Sequence, residues 1–294
     1  MNVCNPMAKR IACLMLMLPV SLSIFAVEDE DKVVVMTDSP SFIEQVTNQQ
    51  GVGTISSVYS LLFAEVGLPK QLHLKSFNRQ ALILEQNEYA ACTPYRFKTK
   101  ERAEQFLFSD PIYFMLHYKL YQQMDLPPLP RQVLDDNGHV KSLNAIATYE
   151  PQALFVIISS FSYGDTLDAQ VAKLPSSSTI EWEGTVPHNV LSKLFFYGRG
   201  QYALMFPSEV HAYLQDNPTV TFRQYRMANL ESHTVGYMMC NRHPDSADYL
   251  NKINQAIKGL YGKEAYLQAH LAPYAESEYA EIKAVVESLQ ANQM

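Results

Sequence analysis

The period of the apolar positions switches repeatedly along the chain, and each switch marks an element. Behind an acidic block, Glu28-Asp29-Glu30-Asp31, residues 32–37 form a β-branched run that ends in Asp38-Ser39-Pro40, which predicts a strand entering a loop. Ile55, Val58, Leu62 and Val66 then recur at helical spacing after Gly51 and Gly53, with Gly67 and Pro69 as the stop. Residues 71–76 alternate as a strand, 77–86 keep a helical period, and 88–93 read as a strand again. Strands alternating with helices predict parallel pairing through crossover helices, an α/β class.

Pro127, Pro128 and Pro130 interrupt this texture. They deny donors to a sheet, so 122–131 is expected to be a surface loop. A second alternating run follows, with strands at 153–159, 179–182, 202–206, 219–225 and 233–240 and helices at 164–172, 188–197 and 207–214. The tail is helical: 245–261 carries Leu250, Ile253, Ile257 and Leu260 on one face, and shorter helices are expected at 263–270 and 276–289. No internal repeat or low-complexity tract is evident.

The amino terminus changes the picture of where the chain works. Lys9 and Arg10 precede an apolar stretch, residues 11–26, that Pro19, Ser21 and Ser23 interrupt and the acidic block closes. That layout predicts a secretory leader, cleaved after Ala26. Its loss removes two cations, so the net charge of −7 becomes −9, which disfavours nucleic acid and anionic lipid as partners. Cys4 and Cys13 leave with the leader, and Cys92 and Cys240 remain. An even pair in an oxidising compartment suggests one disulfide, with two buried thiols as the alternative.

Two segments are more specific than the alternation. The first is Cys92-Thr93-Pro94-Tyr95-Arg96-Phe97-Lys98-Thr99-Lys100-Glu101-Arg102, continuing to Phe108-Ser109-Asp110-Pro111-Ile112-Tyr113. The second pairs Ser162-Tyr163-Gly164 with Tyr197-Gly198-Arg199-Gly200-Gln201-Tyr202. Together they resemble the family-3 bacterial extracellular solute-binding proteins, periplasmic receptors for polar amino acids and related solutes, over nearly the whole chain after the leader. The resemblance implies a two-lobed fold of mixed sheets flanked by helices, with a two-strand hinge. Lobe one would take 27–116 and 233–294 and lobe two 117–232, with hinge strands near 117–122 and 231–236.

It also implies a site between the lobes. Arg102 would clamp a ligand carboxylate through its planar fork. Asp38 and Phe42 would follow the first strand into the cleft, and Ser162, Tyr163, Gly164, Arg199, Gln201 and Tyr202 would line the second lobe. Several places depart from the amino-acid-receptor pattern. Tyr95 and Phe97 are bulky where the family has a small residue and a threonine. Ser56, Ser57 and Tyr59 stand where an acidic residue would meet an amino group, and Gln201 is neutral where an aspartate is common.

Catalytic templates are missing from the sequence. It has no His-Glu-x-x-His, no Cys-x-x-Cys and no glycine-rich phosphate loop, and its eight histidines show no metal-ligand spacing. The expectation is therefore a monomeric, non-enzymatic receptor without cofactor or metal, binding an amino acid, organic acid or short peptide for a membrane permease or a sensor. Two alternatives stay open: a dehydratase-like enzyme on the same fold, and an interaction partner that binds no small solute.

Overall fold

A computed structural model describes residues 32–69, 72–158, 163–182 and 190–292. The expected leader and its cleavage site lie outside them. In chain order, β1 (Val34–Thr37) runs into α1 (Pro40–Thr47) and α2 (Gly53–Val66), then β2 (Leu72–Leu74), α3 (Phe77–Gln86), β3 (Ala91–Arg96), α4 (Lys100–Gln105), β4 (Leu107–Phe108) and β5 (Tyr113–Leu116). Next come β6 (Lys119–Gln123), α5 (Leu143–Tyr149), β7 (Phe155–Ile158), α6 (Asp165–Val171), β8 (Thr179–Trp182), α7 (Val190–Phe196), β9 (Tyr202–Met205), α8 (Pro207–Asp216) and β10 (Phe222–Tyr225). The chain returns through β11 (His233–Cys240) and ends in α9 (Pro244–Tyr261), α10 (Glu264–Leu271) and α11 (Tyr279–Ala291).

Two sheets result. The first has the order β2-β1-β3-β11-β4, with β5 also on β11, and the second β10-β6-β9-β7-β8. In the first, β1 is parallel to β2 and β3, and β11 is antiparallel to β3, β4 and β5. In the second, β7 is parallel to β8 and β9 while β6 is antiparallel to β9 and β10. The mixed α/β class follows, in two lobes. Strands of the first lobe come from residues 34–116 and 233–240, and those of the second from 119–225. Two crossovers join them and run side by side, the His117 N–H donating to the Ser232 carbonyl at 2.9 Å. Gly236 lies just past this point because a Cβ there would stand 2.1 Å from the Tyr113 ring.

Several expectations are corrected. Residues 122–131 are not all loop: Gln122 and Gln123 close β6, where the buried Gln122 amide donates to Pro127 O and Tyr202 Oη. The prolines act only beyond that strand end. Two helices were not anticipated, α1 and α5. Each has two buried apolar residues, Phe42 and Val46 in one and Leu143 and Ile146 in the other, too few to show a period. Capping signals mark both, since Ser39 Oγ accepts from Phe42 N and Ser142 Oγ from Ala145 N. Cys92 and Cys240 lie opposite each other on β3 and β11 and form a disulfide.

The first core packs α2, α9, α10 and α11 on the sheet around Tyr59, Tyr113, Phe114 and Tyr266. His270 belongs to it, fully buried and stacked on Phe114 at 4.2 Å between ring centroids. Its Nε2 accepts from Phe114 N, and its Nδ1 donates to Tyr266 O. Burial lowers its pKa from 6.5 to about 4, although the Tyr266 carbonyl pulls the other way. Between those values the unfolded chain takes up a proton that the folded state refuses, so stability falls with pH. The full loss, on the order of 3 kcal/mol, is reached near pH 4. Denaturant unfolding at pH 7 and pH 4.5 should show the loss in the wild type, and a His270→Gln variant should lack most of it.

Candidate functional site

Ligands in open α/β sheets gather at the carboxyl ends of parallel strands. In the first lobe those ends lead into Asp38 after β1, Lys75 and Phe77 after β2, and Arg96 and Phe97 at β3. β3 reaches its end through an irregularity: Thr93 pairs with Met239 but Arg96 pairs with Tyr237, so β3 carries one extra residue there. Pro94 brings no N–H to the ladder, and Tyr95 takes φ +46°, a left-handed conformation that glycine favours at such a bulge. A bulge re-aims the side chains around it.

Contacts on every side hold Tyr95 in this conformation. Its N–H donates to Tyr59 Oη at 3.1 Å and its hydroxyl to Asp38 Oδ1 at 3.0 Å, with Thr37 Oγ1 also bonded to that hydroxyl. Its ring meets Phe42 edge-on at 5.1 Å, and Phe42 meets Tyr59 in the same way. Burial, then the nearby Asp38 carboxylate, pushes the Tyr95 phenol up to about 12. Phe42 and Tyr59 are buried behind this ring. Tyr95→Phe should cost about 1–2 kcal/mol through the lost bond to a carboxylate, visible as a Tm lower by several degrees.

Beyond the bulge, Arg96 points between α3 and α4. Its guanidinium lies 4.8 Å above the Phe77 ring and 5.5 Å from the Tyr95 ring, and Nη2 donates to Gln80 Oε1 at 2.5 Å. Gln80 is itself fixed, because Thr93 donates to the same oxygen and its amide donates to Lys75 O. Arg102, on α4, donates through Nη1 to Phe97 O at 3.1 Å. It does not pair with Glu101 or Glu104: no carboxylate oxygen lies within 4.0 Å of Arg96 or Arg102 among the described residues. Both arginines line one cavity of about 200 Å³, with Phe77, Gln80, Gln105 and Met239. Phe97 is 45% exposed and Phe77 49%, so both offer rings to solvent.

In the second lobe Ser162 lies outside the described residues. Tyr163 and Gly164 precede α6, past the carboxyl end of β7, where the Tyr163 N–H donates to Asp168 Oδ1 at 2.7 Å. Tyr163 packs on Tyr118 at 5.2 Å, and Tyr118 stacks on Phe206 at 3.8 Å. Phe206 follows the carboxyl end of β9.

Arg199, Gln201 and Tyr202 are not brought to this end. They lie at the amino end of β9, where Gln201 N donates to Leu154 O and Gln201 Oε1 accepts from Leu154 N. Tyr202 is buried and donates to Glu150 Oε2. Arg199 is exposed after α7, its N–H on Leu194 O. Residues that precede a parallel strand stand at its far end, and the residue that follows β9 at its carboxyl end is Phe206. The sequence reading also passed over Phe77, Gln80, Arg96 and Tyr118. An aromatic opening the helix after a strand is the one signal that could have found Phe77.

No protein-family model and no curated protein matches the chain. Solved structures do match. An ancestral cationic amino-acid solute-binding protein aligns with TM-score 0.54 and 11% identity, covering 83% of this chain and 96% of that one. The probable amino-acid ABC transporter extracellular-binding protein ytmK of Bacillus subtilis aligns at 0.51 and 14%, over 83% and 98%. The L-cystine solute receptor of Neisseria gonorrhoeae, unliganded and open, aligns at 0.50 and 15%, over 82% and 94%. The fold is that of the two-lobed solute-binding proteins. Identities this low compare backbones and leave the chemistry of the site to the residues described above. No described helix is long and apolar enough to cross a membrane, and no cluster of metal-ligating side chains occurs among the described residues.

Proposed function

We propose that the chain is a periplasmic solute-binding protein that holds a carboxylate-bearing solute between its lobes. Lobe one comprises 27–116 and 233–294 and lobe two 117–232, exported by a leader ending near Ala26. One observation carries the reading: on a solute-receptor fold, Arg102 stands past the end of β3 beside a cavity, with no carboxylate of the described residues within ion-pair distance. A guanidinium left open beside a cavity suits a carboxylate, which it can grip bidentately. Asp38, Phe77 and Phe97 frame the same end of lobe one, and Tyr163 and Gly164 supply the opposing wall. A solute that touches both walls favours the closed arrangement, which a permease or sensor then reads. The chain works as a monomer and performs no reaction on its cargo.

A melting-shift screen over amino acids, organic acids, short peptides and sugars tests this. A ligand at a hundred times its Kd stabilises the fold by about 2.7 kcal/mol, and Arg102→Ala should abolish the shift while preserving the unliganded Tm. Chemical conversion of a hit would instead favour an enzyme. The inward Tyr95 ring favours a second reading, an interaction partner without a small solute, and a blank screen would support it.

A further inference from the structure

We propose that the solute carries two anionic groups, and that Arg96 holds the second. This rests on the solute-binding reading above, and it identifies the class of cargo. Long cationic side chains are almost never this buried unless paired, yet Arg96 is only 9% exposed and has no carboxylate within 4.0 Å among the described residues. Five N–H donors belong to a guanidinium, and its side-chain bond within the protein goes to the neutral Gln80 oxygen. Two rings and a Gln80 fixed by Lys75 O and Thr93 hold the group in one orientation. That is the preorganisation expected of a binding group.

The surrounding charges sharpen the argument. Burial disfavours the charged form of Arg96, the Asp38 carboxylate partly offsets this, and Arg102 adds repulsion. Asp38 already accepts the Tyr95 hydroxyl, and Glu85 and Glu101 line the cavity without pairing with either arginine. A monocarboxylate on Arg102 would leave Arg96 uncompensated; a dicarboxylate would satisfy both. Provision for a ligand ammonium is poor. Asp168 is engaged by the Tyr163 N–H, and the carboxyl end of β9 presents Phe206 rather than an acid. The geometry therefore favours small dicarboxylates over α-amino acids.

Calorimetric titration of the full chain without its leader decides the matter, using succinate, citrate and phthalate against propionate, L-glutamine and L-arginine. A dianion should bind more tightly than propionate and both amino acids. Arg96→Gln should weaken it by about tenfold to a hundredfold and propionate by a smaller factor, whereas Arg102→Gln should weaken every carboxylate alike. Arg96→Lys keeps the charge without the planar fork and should fall between wild type and Arg96→Gln, which guards against a folding artefact. Tighter binding of L-glutamine or L-arginine, or a dianion Kd within twofold of wild type in Arg96→Gln, overturns the inference and leaves the solute-binding reading standing. Failure of all six probes to bind overturns this inference, and a blank in the broad screen as well removes the reading beneath it.

Discussion

Reduction of the Cys92–Cys240 bond, or alanine at both positions, should lower the stability of the chain by about 5 kcal/mol. The bond joins directly opposed residues of β3 and β11, 148 positions apart in sequence. All of the second lobe's strands fall inside that loop. Closing a loop of this length restricts the unfolded chain far more than the folded one, where the antiparallel ladder already holds the strands together. Chain entropy gives about 5 kcal/mol at 25 °C. Both cysteines are fully buried, so paired alanines leave only a small void beside the sheet. Guanidinium unfolding of the wild type should shift its midpoint down with reductant, while Cys92→Ala/Cys240→Ala should start low and ignore reductant. Equal midpoints for the wild type with and without reductant would show that the bond is absent or without effect.

The same ladder shows what was legible in the sequence. β11 spans eight residues with its apolar positions intact, and α3 and β11 were read with their observed limits. Long periodic runs report their own burial. α1 and α5 did not, because two buried positions define no period. The register irregularity between β3 and β11 cannot be read from either strand by itself, since it is a mismatch between two chain segments. The placement of Arg96 is illegible for that reason: in the linear sequence it is one more basic residue near Lys98, Lys100 and Arg102, and past the bulge it lies against Phe77 and Gln80 of α3. Arg102 can be named as a candidate from Thr99-Lys100-Glu101-Arg102, because that motif is continuous in the chain. The segment around Arg199 stands at the amino end of β9, a placement that follows from strand direction and not from the motif.

Lys119→Met should cost about 3–5 kcal/mol, because it breaks a buried ion pair. Lys119 opens β6, and its Nζ lies 2.5 Å from Glu278 Oε2, with side chains 10% and 6% exposed. Glu278 ends the short turn before α11, whose apolar face packs in the first lobe's core. Gln224 of β10 donates to its other oxygen at 3.1 Å. Removing the lysine leaves a buried carboxylate with one neutral partner, and that desolvation sets the cost. The neighbouring Arg226–Glu281 pair is also 2.5 Å long, but its arginine is 45% exposed, so water substitutes for the lost contact and Arg226→Ala should cost at most about 1 kcal/mol. Lys119→Met with Glu278→Gln should recover much of the single loss, and the coupling energy from the four proteins measures the pair. Because the pair ties the first strand of one lobe to the closing segment of the other, its loss should act on lobe opening as well as on unfolding. Scattering of Lys119→Met with Glu278→Gln, showing a radius of gyration larger than wild type at equal folded fraction, would separate the two effects. An unchanged radius would confine the pair to stability.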